Sequence, residues 1–189
     1  YDEASRGKSK GLELIYAPIQ ESNMSRPLSQ FTKPVVIGTT KEEGNIYIRN
    51  ESRKLSPERF VEVMTLNDIH LHISQAQTGK DQARMVTTHY FETPAISFLN
   101  QLDNNPHCWK LRFDWCLSNA SPFQSAYHIL DLVFWFGKLE ILKAHGVNSL
   151  EHERHLSKHM IDDLIYFATY HTMPWPSYSP QTPYCYIYK

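Results

Sequence analysis

Between residues 108 and 117 apolar and polar side chains alternate without a break. Trp109, Leu111, Phe113, Trp115 and Leu117 fall on one side, and Cys108, Lys110, Arg112, Asp114 and Cys116 on the other. A repeat of two belongs to a β-strand, so this stretch is expected to set Trp109, Phe113 and Trp115 into a core and to turn its other face toward water. A strand needs partners, and the flanking sequence offers several. LELIYAPI (12–19), stopped by Pro18, and PVVIGTT (34–40) and NIYIRN (45–50) on either side of the turn KEEG read as strands, the last two as a hairpin. From Ile69 the period is again two, with Ile69, Leu71 and Ile73 opposite His70, His72 and Ser74. RMVTTHYFET (84–93) and AISFLNQL (95–102), separated by Pro94, read as further strands.

Helices are signalled by their starts. Ser56-Pro57-Glu58 combines a polar cap with a first-turn proline, ahead of Phe60, Val61, Val63 and Met64 on one face and an end near Asn67. Ser121-Pro122 opens an apolar run to Ala144, closed by His145-Gly146, and Asn148 with Glu151 resembles a capping box for a run to His171. The expected fold is therefore α+β: a mostly antiparallel sheet over residues 12–117, covered by helices 122–145 and 149–171. Residues 1–10 read as a flexible arm, 11–173 as a single α+β domain, and 174–189 as a Pro/Tyr-rich tail whose YCYIYK adds an edge strand.

Charge excludes one class of partner. With 19 basic and 20 acidic side chains there is no field to draw in a polyanion, so nucleic acid is not expected. No apolar run is long enough to cross a bilayer, and the opening YDEASRGKSK resembles neither a signal peptide nor a transit peptide. The chain starts at Tyr1, which points to upstream sequence. Three cysteines, an odd number, favour a reducing, intracellular compartment over the sequons at Asn23, Asn50 and Asn119. A nucleotide-binding glycine loop, a CxxC pair and an HExxH run are all missing.

Histidine is the residue type that carries candidate chemistry, because imidazole is both a common metal ligand and an acid–base group near neutral pH. On the helix 149–171, His152, His155, His159, Asp162 and Asp163 share one wedge, continued by Tyr166 and Tyr170 and opposite Leu150, Ile161, Leu164 and Ala168. The pair His155/His159, with Asp163 as a third ligand, has the spacing to hold zinc or another divalent cation. His128 and Asp131, one turn apart on the preceding helix, are placed to add donors. A solvated polar face accounts for the same pattern, so no cofactor is expected.

Two short motifs carry resemblances. His70-Leu71-His72 resembles the His-hydrophobic-His element of rolling-circle nickases, with Tyr166 or Tyr170 as the implied nucleophile. His72-Ile73-Ser74 and His155-Leu156-Ser157 are similar to the twin motifs of two-histidine phosphoesterases, which would make His72 and His155 the catalytic pair. His107 and Cys108, neighbours on a strand, point to opposite faces and do not form a couple. In the tail, Trp175, Tyr178, Tyr184 and Tyr186 stand among prolines as anchors for recognition. The reading that follows is a protein-interaction or assembly module with a protein partner or a second copy of itself. The alternative is a metal- or histidine-dependent hydrolase acting on a phosphoester.

Overall fold

The computed structural model describes residues 31–189 apart from positions 49–50, 103–104, 118, 120–121 and 149. Its sheet is parallel. Strand β1 (Val35–Thr40) pairs with β2 (Cys108–Phe113) in the register Val35↔Cys108 to Thr40↔Phe113, and β2 pairs with β3 (Tyr186–Tyr188) in the register Leu111↔Tyr186 to Phe113↔Tyr188. The order is β1-β2-β3, all parallel. This overturns the mostly antiparallel α+β expectation. Alternation reveals a strand but not the direction of its neighbour, and parallel neighbours demand crossovers, which here are helical.

The first crossover holds α1 (Pro57–Thr65), α2 (Gly79–Val86) and α3 (Thr93–Gln101). Ser56 accepts from Arg59 N and caps α1 as expected. The segment 84–102, expected as two strands, is helical instead. Thr78 and Asp81 form a capping box at the start of α2, and Gly79, Gln82, Ala83 and Val86 are buried at helical spacing. Between α2 and α3 lies a π-helical turn, Thr87–Glu92, and Pro94 stands in the first turn of α3, where a missing N–H is tolerated. Residues 45–50 and 69–74 form no strands among the described residues. A 3-10 turn occupies Glu43–Ile46, and another occupies Ile73–Gln75.

The second crossover holds α4 (Leu130–Trp135), α5 (Glu140–Ala144) and α6 (Glu151–Tyr170). The single helix expected over 122–145 is cut at Gly137. This glycine adopts φ +62, its N–H bonds Phe134 O (3.1 Å), and Lys138 N bonds Val133 O (2.8 Å), the paired bonds of a Schellman end. α4 packs on α6, where Ser157 Oγ donates to Phe134 O at 2.7 Å.

Trp109, Leu111, Phe113 and Trp115 are buried, as the alternation requires, in one cluster with Phe134, Leu142, Met160, Trp175 and Tyr188. The opposite face of β2 is also partly covered, since Cys108 packs with Leu99, Leu102 and Tyr178. A central strand of a parallel sheet is covered on both sides, which is why its second face is not simply wet. A separate core under α1 and α2 gathers Phe60, Val63, Met64, Ala83 and Val86.

Candidate active site

The loop that leaves the C-terminal end of β1 carries the best-defined polar constellation. Glu43 opens the 3-10 turn and is 4% exposed. A buried carboxylate is costly unless its oxygens are bonded, and both are. Oε1 accepts from Thr40 N at 2.6 Å, and Oε2 faces His128 Nδ1 at 2.7 Å. Gly44 is required next to it, because a Cβ there would lie 1.9 Å from Ala83 O. Its N–H donates instead to Thr87 Oγ1 (2.9 Å), and that hydroxyl donates to Ala83 O (3.0 Å). The acid is thus fixed against α2 by its own turn.

His128 comes from the loop after β2, and the two loops are stitched together. Lys41 N bonds Phe113 O (2.9 Å), Glu42 N bonds Ala126 O (2.9 Å), and Ala126 N returns a bond to Glu42 Oε2 (3.1 Å). The next residue, Ile129, has φ +68 and ψ −1. A β-branched residue in the left-handed region is strained, and such strain collects at functional sites. Against the imidazole stand Phe91, with ring centroids 4.9 Å apart, and Tyr47 at 6.1 Å. The His128 side chain is 35% exposed.

Charge is concentrated here. Burial first, and then the Glu43 carboxylate, hold the Asp131 carboxyl above its ordinary range, while Trp135 Nε1 donates to Asp131 Oδ2 at 3.2 Å. Burial and the same Glu43 charge push the Tyr47 phenol up. Chemically, a carboxylate on Nδ1 fixes the tautomer that leaves Nε2 as a proton acceptor. That is the acid–base half of a nucleophile–histidine–acid set.

The sequence-level candidates lie elsewhere. His72 is exposed and caps the 3-10 turn, its Nδ1 meeting Ser74 Oγ at 2.7 Å, so the first phosphoesterase-like motif is a local cap. His155 is exposed on α6. His159 and Asp163 do meet, Nε2 to Oδ2 at 3.2 Å, but the same carboxylate oxygen accepts from buried Tyr188 at 2.6 Å. Burial and that bond push the Tyr188 phenol far up. Among the described residues no three His, Cys, Asp or Glu side chains are grouped to hold a metal ion. Trp175 and Tyr178 are buried rather than offered to a partner. Trp175 stacks on Tyr186 at 4.2 Å, Tyr178 donates to Asn100 Oδ1 at 2.8 Å, and Tyr184 is exposed. The sequence places His128 with Asp131, one turn on, whereas the structure pairs it with Glu43, which sits in a 3-10 turn where a hairpin turn is expected. An acid just past one strand and a histidine past the next was the available signal.

The profile of the carboxylesterase family matches residues 15–186. Para-nitrobenzyl esterase of Bacillus subtilis (strain 168) is 26% identical over 160 residues, which is 79% of this chain and 32% of that protein. A solved para-nitrobenzyl esterase superposes with a TM-score of 0.67 at 26% identity, covering 82% of this chain and 34% of that one. A thermophilic para-nitrobenzyl esterase shares the fold, with a TM-score of 0.70 at 24% identity and the same coverage. The chain thus spans about a third of the length of the relatives it matches. These matches overturn the expectation of a non-catalytic assembly module, and equally that of a phosphoester hydrolase or a metal-binding protein.

Proposed function

This chain belongs to the carboxylesterase family, and on that premise we propose that Glu43 and His128 are the acid and the base of a carboxylic-ester hydrolase. The observation that carries the reading is the 2.7 Å contact between His128 Nδ1 and the buried Glu43 carboxylate. The two also follow the chain order of nucleophile, acid, histidine found on α/β-hydrolase sheets. In this reading His128 Nε2 takes the proton of a serine hydroxyl as its oxygen attacks the ester carbonyl. It then returns that proton to the departing alkoxide as the carbon–oxygen bond breaks. Water, activated by the same nitrogen, releases the acid. Glu43 holds the tautomer and stabilises the imidazolium. Acyl transfer by this set needs no metal or organic cofactor.

Residues 15–186 contain no G-x-S-x-G sequence. The spelling does occur at Gly7-Lys8-Ser9-Lys10-Gly11, outside the described residues. It follows Tyr-Asp-Glu-Ala-Ser-Arg, which lacks the apolar strand that a nucleophile elbow requires. We therefore place the serine on polypeptide beyond residues 15–186, and that polypeptide is the partner this reading names. Cys108, Cys116 and Cys185 are free thiols, which supports an intracellular setting.

The test is a chimera in which residues 15–186 replace the aligned segment of the B. subtilis esterase. Hydrolysis of a p-nitrobenzyl ester is expected, falling about 10⁴-fold or more with His128→Ala and strongly with Glu43→Gln. A folded, active chimera indifferent to His128→Ala would sink the reading.

A further inference from the structure

A carboxylate on one nitrogen does not by itself orient an imidazole. The ring can still tilt and turn about the Nδ1–carboxylate axis, and a misplacement of about 1 Å at a reacting atom costs roughly a hundredfold in rate. What packs on the faces of the His128 ring therefore matters as much as what bonds its edge. Phe91 lies 4.9 Å away at 48°, Tyr47 lies 6.1 Å away at 30°, and the two aromatic rings are themselves 6.4 Å apart.

Phe91 reaches this position only because the helix is irregular. In a continuous α-helix a residue five places after Val86 points roughly 140° away from it. Thr87–Glu92 instead forms a π turn, in which Thr93 N–H bonds Thr88 O across five residues. The widened turn brings position 91 back toward the side on which Val86 and Ala83 are buried and on which Gly44 and Glu43 are held. One-turn π bulges carry a cost that is usually retained for a functional site.

We propose that Phe91 is a positioning residue for His128, and that the π turn exists to seat its ring against the imidazole. The proposal rests on His128 being the base of the site. It adds that the base is held on its face by α2–α3 as well as on its edge by Glu43. Truncating the ring loosens the imidazole while leaving the Glu43 carboxylate where Thr40 N holds it.

The experiment uses the 189-residue chain and NMR, so that it does not depend on turnover. The Nδ1 proton shared with Glu43 is expected as a slowly exchanging downfield resonance, assigned by its disappearance in Glu43→Gln. Phe91→Leu should speed its exchange with solvent roughly tenfold, as local opening does. Phe91→Tyr should restore it, since the ring face is kept. Leu99→Ala, which opens the separate core around Leu102, Cys108 and Tyr178, should leave it unchanged, and Phe91→Met, a milder truncation, should fall between. Equal exchange in Phe91→Leu and the parent chain overturns the proposal, as does equal acceleration by Leu99→Ala or a parent resonance too labile to see. In the chimera, Phe91→Leu is expected to lower kcat with KM little changed. A chimera insensitive to His128→Ala would instead remove the catalytic reading while leaving the NMR result intact.

Discussion

Ile129 spends conformational energy beside the base. For an L-residue the left-handed region costs about 1–2 kcal/mol, and a β-branched side chain sits at the high end. Glycine removes that strain but adds about 0.5–1 kcal/mol of unfolded-state entropy. Ile129→Gly is therefore expected to stabilise the chain by about 0.5–1 kcal/mol, a gain of a few degrees in Tm measurable by thermal denaturation. A loss of stability would show that the Ile129 side chain contributes more than its backbone costs. Asp131 gives a pH-dependent counterpart. Its folded pKa is raised above the unfolded one, so the folded chain binds this proton more tightly and stability falls as pH rises through that window. Asp131→Asn should then stabilise more at about pH 7 than at about pH 3 in urea titrations, and an equal gain at both would refute the assignment.

At the scale of elements, what could be read from sequence depended on whether a signal is local. The Ser56 cap, the strand at Val35–Thr40 and the buried face of Trp109, Phe113 and Trp115 are written in a few adjacent residues, and these the structure retains. Strand direction is not local, so parallel pairing stayed invisible. The β-branched and aromatic run 84–93 masked a helix whose evidence lay upstream, in the Thr78–Asp81 box. The wedge of α6 reads as polar and solvated, yet Asp163 within it is buried, with Tyr188 Oη donating to its carboxylate. Glu43 and His128 are distant in sequence, and only tertiary structure pairs them. Two measurements follow. Gln82 accepts from Leu55 N and donates to Leu55 O and Ala76 O while fully buried, so Gln82→Leu should cost about 2–4 kcal/mol by stranding those groups. Tyr188→Phe removes the shorter of the two contacts to the buried Asp163 carboxylate and should cost about 1–3 kcal/mol, whereas His155→Ala should change stability by no more than about 0.5 kcal/mol. Reversing that order in chemical denaturation would overturn the burial argument.

At the scale of the molecule, some apolar faces are left uncovered among the described residues. β1 is paired on one side only among the described residues, and its Val35, Val36 and Ile37 continue an apolar strand. Leu164 and Ile165 on α6 and Phe136 after α4 are exposed. Relatives three times as long have more polypeptide to lay over such faces. The 189-residue chain by itself is therefore expected to associate with rising concentration in sedimentation experiments. Leu164→Lys with Ile165→Lys should reduce that association at a stability change of about 0.5 kcal/mol or less. Unchanged association would put the sticky surface elsewhere.

The contact between Glu43 and His128 closes a loop of 85 positions, and β3 (Tyr186–Tyr188) joins β2 only further along the chain. On a ribosome the acid emerges first and waits, at about 5–20 residues per second, for several seconds before its partner is made. Parallel pairings of this span are slow to close and expose apolar surface while they wait. The acid of this site is thus made well before its partner, and the interval between them is when a chaperone has most to protect.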